Sequence, residues 1–156
     1  MRWRFVDRIL SFEPWTRTAA LKACSLEEYN LLERWGQPGL APGILALESG
    51  IQAARWLVEA SSGFTDSMDV REISRWRAGE GLRPGERLRM DVAVAGISGS
   101  DIRFSVRLTR CGPGEPVQAD PGGTEEPELV FTASLVPLQG RDEPGDREAL
   151  WNELRA

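Results

Sequence analysis

Between Gly43 and Ala60 the apolar residues recur at the spacing of a helix, and from Val70 onward they recur at the spacing of a strand. Few architectures accept both patterns in that order. Ile44, Leu47, Ile51, Ala54 and Val58 form one stripe at 3.6-residue period, with Pro42 at the start, where a missing N–H costs nothing, and Gly63 as the stop. The helix is apolar around much of its circumference, which predicts cover by sheet on several sides. Leu88, Met90, Val92 and Val94 then alternate with Arg87, Arg89, Asp91 and Ala93, and Ile102, Phe104, Val106 and Leu108 alternate with Arg103, Ser105, Arg107 and Thr109. These predict two antiparallel strands with one wet face, joined around Gly96–Ser100.

The remaining segments fit the same plan. Residues 3–24 read as extended, with a turn at Glu13-Pro14-Trp15-Thr16 and a strand over Arg17–Ala23. Ser25 to Glu28 is predicted as a capped helical turn and residues 36–43 as a loop. Val70 to Arg77 is expected as a strand, followed by a turn at Arg83-Pro84-Gly85-Glu86, and Leu129 to Leu138 as the last strand. Residues 112–128 are expected as a loop rich in Pro, Gly and acid. One long helix followed by an antiparallel sheet is α+β. At 156 residues a single domain is expected, residues 1–139, with 140–156 as a tail whose Leu150, Trp151 and Leu154 suit a short amphipathic helix.

Composition removes several chemistries. The chain contains no histidine, so it cannot by itself supply a Ser-His-Asp or Cys-His site or an imidazole metal ligand. Cys24 and Cys111 are too few for a thiolate zinc cage or a disulfide framework and are expected as buried free thiols in a reducing cytoplasm. A net charge of −5 gives no support to nucleic-acid binding. The first eight residues carry Arg2, Arg4, Asp7 and Arg8, which leaves no apolar signal, and the longest nearly apolar run, Pro38–Leu47, is about half the ~20 residues a membrane span needs. Of the basic residues only Lys22 is not arginine, a bias that genome composition explains without function.

Glu48 breaks the helical pattern. It lies four residues after Ile44 and three before Ile51, inside or beside the apolar stripe, where desolvation raises a carboxyl pKa and suits it to proton transfer. Placed instead at the stripe's edge, it reaches water. Gln52 follows one turn later and can hydrogen-bond the carboxylate. At the helix start, Pro42-Gly43 leaves backbone N–H groups open at the positive end of the helix dipole, able to bind an anion or polarise a carbonyl oxygen.

Phe5-Val6-Asp7-Arg8-Ile9-Leu10, then Ala41-Pro42-Gly43-Ile44-Leu45-Ala46-Leu47-Glu48 with Gln52, then Ile73-Ser74-Arg75-Trp76-Arg77 and Leu82-Arg83-Pro84-Gly85-Glu86-Arg87-Leu88, resemble in the same order the hotdog-fold 3-hydroxyacyl-[acyl-carrier-protein] dehydratases. The resemblance runs from about residue 3 to 138. It implies a hotdog fold, a long central helix wrapped by a curved antiparallel sheet, in a dimer or higher oligomer with sites at the subunit interface. In that family a His removes the α-proton of a 3-hydroxyacyl thioester. A helix carboxylate from the neighbouring subunit helps the β-hydroxyl leave as water, and a Gly N–H polarises the thioester carbonyl. The carboxylate matches Glu48 and the glycine Gly43. The His position, nine residues before Gly43, holds Arg34, and the family's G-H-F-P-G stretch stands here as Glu33-Arg34-Trp35-Gly36-Gln37.

Arginine stays protonated and cannot serve as a general base. The resemblance with that departure implies a His-less subunit that contributes Glu48 to a site whose His comes from a second hotdog chain. Gly43, Gln52 and Arg34 would then line the substrate position. No cofactor or metal is implied; the substrate rides on the phosphopantetheine of an acyl carrier protein, in fatty-acid or polyketide assembly. Two alternatives stand beside it: a non-catalytic subunit that binds acyl thioesters or stabilises a partner, and a hotdog thioesterase that uses Glu48. Arg71, Arg75, Arg77, Arg83, Arg87 and Arg89 could form a basic surface for an acidic carrier protein, or simply a solvated strand face.

Overall fold

The computed structural model describes residues 4–25, 43–77, 82–117, 128–138 and 144–156. Within them run strands β1 (Arg8–Glu13), β2 (Arg17–Ala23), β3 (Asp66–Trp76), β4 (Arg87–Ser98), β5 (Asp101–Cys111) and β6 (Leu129–Pro137), with helices α1 (Gly43–Ser61) and α2 (Pro144–Arg155). The strands form one antiparallel sheet in the order β1-β2-β4-β5-β6-β3. Strand β3 follows α1 in the chain yet pairs with β6 on the far edge, so the chain carries the helix across the sheet. This is the α+β arrangement expected. The capped turn at Ser25–Glu28 and the loop at 36–43 lie outside the described residues except for Ser25 and Gly43, as do residues 118–127 of the expected 112–128 loop.

Alternation decides which side of the sheet the helix meets. Thr18, Ala20, Met90, Val92, Val106, Phe104 and Phe131 share one face by strand register, and Phe104 and Phe131 stack with ring centroids 5.1 Å apart. Against that face lie Ile51, Ala54, Leu57 and Val58 of α1, all buried. Gly50 also faces the sheet: a Cβ there would stand 3.2 Å from Leu129 Cδ2 and 3.3 Å from Val106 Cγ1, so its absence lets the helix seat closely. The stripe begins one turn later than expected. Leu45, Ala46 and Leu47 pack at the margin of the core, but Ile44 is 58% exposed.

Helix α1 stops as Gly63 directs. Gly63 adopts φ 65° and its N–H donates to Ala60 O, while Phe64 N–H donates to Glu59 O at 2.7 Å, the paired bonds of a Schellman cap. The chain is thereby turned straight into β3, which starts at Asp66 rather than at the expected Val70. Only Met68 among its first four residues is buried, so the extra turn of strand carries almost no hydrophobic signal. The β4–β5 hairpin is likewise tighter than expected. Strands run to Ser98 and Asp101 around Gly99 at φ 61°, and Gly96 lies at a register shift instead of in the turn.

Helix α2 joins the same core. Trp151 and Leu154 are buried, and the Trp151 ring meets Phe12 edge-on at 4.9 Å and Trp56 at 5.9 Å. Burying an isolated carboxylate is costly, yet Glu59 of α1 is 1% exposed. It is satisfied by an ion pair with Arg147 of α2 and by the Ser67 hydroxyl, which donates to Oε1 at 2.7 Å. Removing the cation strands that charge. Arg147→Ala is expected to cost on the order of 3 kcal/mol, read as a lower urea midpoint. Adding Glu59→Gln in the same background should recover part of the loss, because an amide is easier to bury than a carboxylate.

Candidate functional site

Glu48 and Gln52 sit one turn apart in the first half of α1, so both side chains leave the helix on one side. Gln52 Nε2 donates to Glu48 Oε1 at 3.0 Å, and Gln52 Oε1 accepts the Phe5 backbone N–H at 3.0 Å. The amide therefore bridges the N-terminal segment and the carboxylate. Glu48 is half-buried, between the desolvated and the solvated positions expected for it. Gly43 is the first residue of α1, five before Glu48, which places the helix-end N–H groups on the same half of the helix. Arg34 lies outside the described residues. Glu48, Gln52 and Gly43 are thus gathered along the first three turns of one helix.

The Phe5 N–H was not singled out from sequence, although Phe5 opens the first stretch that carries the family resemblance. No side-chain pattern marks a backbone donor. The segment behind it is firmly placed: Phe5 and Val6 are buried, and Asp7 N–H donates to Leu21 O at 2.8 Å.

Of the arginines that could form either a basic surface or a solvated strand face, Arg71, Arg87 and Arg89 are engaged within the chain. Arg89 is 4% exposed and forks onto Asp91, with Nε at 2.8 Å from Oδ2 and Nη2 at 2.6 Å from Oδ1. The Arg87 guanidinium donates to the backbone oxygens of Gly112 and Glu115, and Arg71 Nε donates to Ser134 Oγ at 2.8 Å. A groove of about 550 Å³ opens over Ala19, Ala93 and Ser105, on the face of the sheet turned away from α1. Its rim charges answer one another, Arg17 with Glu13 at 2.9 Å and Arg89 with Asp91, so it does not extend the site at Glu48. Among the described residues no cluster of His, Cys, Asp and Glu could hold a metal ion, and no helix is long and apolar enough to cross a membrane. Cys24 and Cys111 are buried and free.

Comparisons with known proteins bear on the fold and its relatives. The chain is 31% identical over 97 residues to the 3-hydroxyacyl-[acyl-carrier-protein] dehydratase FabZ of Halorhodospira halophila, a match covering 60% of this chain and 63% of that one. It is 29% identical over 121 residues to the FabZ of a Polaromonas strain, covering 74% and 81%. The match to the first of these thus spans under two thirds of that relative's length. No family model matches. Among solved structures, a Streptococcus mutans protein bound to acetyl-CoA superposes with TM-score 0.60 at 16% identity, over 90% of this chain and 96% of that one. A hot-dog-like protein from Thermanaerovibrio acidaminovorans superposes with TM-score 0.51 at 12% identity, over 93% and 95%. At such identities the likeness is one of fold, and the fold is the hotdog.

The burial of Arg89 separates a structural role from a docking role. Arg89→Ala should destabilise the chain by about 1.5–3 kcal/mol through loss of the charged hydrogen bonds to Asp91, seen in thermal unfolding.

Proposed function

The chain belongs with the hotdog-fold 3-hydroxyacyl-[acyl-carrier-protein] dehydratases, and on that premise we propose that it is the carboxylate-bearing subunit of a two-chain dehydratase. The observation that carries the proposal is the Glu48–Gln52–Phe5 arrangement, a held carboxylate in a chain with no histidine. A carboxylate alone can move a proton to or from a hydroxyl but leaves the α-proton without its base. A second hotdog chain would bring the missing imidazole.

The steps follow from the groups present. With Oε1 occupied by Gln52, Glu48 Oε2 is the oxygen that protonates the departing β-hydroxyl, which leaves as water. The Gly43 N–H and the positive end of α1 stabilise negative charge on the thioester oxygen as the partner's imidazole takes the α-proton. The substrate class is a 3-hydroxyacyl group on phosphopantetheine, delivered by an acyl carrier protein in fatty-acid or polyketide assembly. Of the two sites such a dimer holds, the one containing Arg34 in place of the imidazole is silent. Strand β3 is the edge offered to the partner: residues 71–74 are exposed along it, whereas the β1 edge is flanked by α2 through Phe12–Trp151 and the Arg8 bond to Ala156 O.

The isolated chain should show no appreciable dehydration of 3-hydroxyacyl-carrier substrates, and mixing with a His-bearing hotdog partner should create activity well above either chain alone. Glu48→Gln keeps the size of the side chain and should lower the rate of the complex by roughly 10²-fold or more with assembly intact. Full activity of Glu48→Gln, or turnover that depends on Arg34 instead, would overturn the assignment. Hydrolysis of acyl-CoA by the chain alone would replace it with a thioesterase.

A further inference from the structure

We propose that Asp7 and Lys22 are positioning residues for the Glu48 carboxylate, acting through the Phe5 N–H and the Gln52 amide; the catalytic part of this rests on the reading of Glu48 given above. Lys22 is the chain's one lysine and is 6% exposed, on β2 beside the buried Leu88. An ammonium group so placed is costly unless it is bonded. Its Nζ donates to Ala23 O at 2.8 Å and reaches Asp7 Oδ2 at 3.4 Å. The same Oδ2 accepts the Ala23 N–H at 2.7 Å, while the Asp7 N–H donates to Leu21 O at 2.8 Å. Asp7 is therefore tied to the end of β2 by both its backbone and its side chain.

Phe5 is two residues upstream, a reach of at most about 7 Å in extended chain. Between them Val6 is fully buried. With Asp7 clamped and Val6 packed, the Phe5 N–H has little room to move. That matters because of what lies on either side of Gln52. A backbone N–H can only donate, and Glu48 Oε1 can only accept, whether the carboxyl is ionised or carries its proton on Oε2. An amide placed between them has one orientation that satisfies both, oxygen toward Phe5 and nitrogen toward Glu48. Without the N–H, the amide keeps its nitrogen toward the carboxylate but loses the donor that anchors its oxygen. The clamp at Asp7 and Lys22 thus anchors the Gln52 amide that holds Glu48 Oε1, and with it the direction in which Oε2 points.

The test uses the full chain, alone for spectroscopy and with its His-bearing partner for kinetics. Glutamine side-chain amides are followed by ¹⁵N NMR, with Gln52→Ala identifying the Gln52 pair, and Phe5 amide exchange is measured in parallel. In Asp7→Ala the Gln52 resonances should move toward those of a free amide and Phe5 exchange should quicken roughly tenfold or more. In the complex kcat should fall roughly 10- to 100-fold with KM changed less than about twofold. Asp7→Asn keeps an oxygen for the Ala23 N–H and should restore most of both readings. Lys22→Met keeps the buried stem, removes the charge, and should give intermediate values; it decides the matter by the same readings if Asp7→Ala does not fold. A folded Asp7→Ala with unchanged Gln52 resonances, Phe5 exchange and kcat would overturn the proposal, leaving Asp7 a matter of stability alone. If the wild-type pair shows no dehydration, the catalytic reading falls, while the NMR and exchange measurements still decide whether the clamp orients Gln52.

Discussion

Close packing of one helix against one face of a curved sheet sets the terms for everything else in this molecule. Gly50, Ala53 and Ala54 are small and buried, so α1 seats against Val106 and Leu129 with side-chain tips about 3 Å from where a Cβ would stand. A helix held that closely cannot rotate or slide without opening voids, and voids in a dense core are costly. Glu48 and Gln52 inherit that rigidity. Their separation and direction are those of the helix, and their position relative to the sheet is fixed by residues that take no part in the chemistry.

Polar groups then do what packing alone cannot, which is to fix orientation. Among the described residues, two such clamps bear on α1. At one end of α1, Asp7, Lys22 and the Ala23 N–H secure the N-terminal segment whose Phe5 N–H meets Gln52. At the other end, Glu59 is satisfied by Arg147 and Ser67, which joins α2 and β3 to the helix. In both, a buried charge is accommodated only because several partners converge on it, so each site penalises any arrangement that separates them. The first clamp touches the candidate site; the second completes the core that the site leans on.

Local signals accounted for much of the fold and for part of the site. The period-two runs at 87–94 and 102–109 became β4 and β5, and Gly63 ended α1, because alternation and left-handed caps are properties of neighbouring residues. The signals failed where partners were remote. Asp66–Asp69 form strand only because β6 pairs with them, and Ile44 is exposed although its neighbours Leu45 and Ala46 pack against the core. Arg89 looked like surface by alternation, yet its guanidinium is buried against Asp91, two residues along its own strand.

The sequence by itself determined the α+β class, the family resemblance, the position of Glu48 and Gln52 one turn apart, and the absence of any imidazole; each is a matter of residue type or of spacing within a few residues. Only the tertiary structure decided that β3 lies at the far edge, that the single lysine is buried, and that a backbone N–H some fifty residues upstream donates to the Gln52 amide oxygen. Those outcomes depend on which distant segments share a core, and a backbone donor carries no side-chain mark by which a linear pattern could find it.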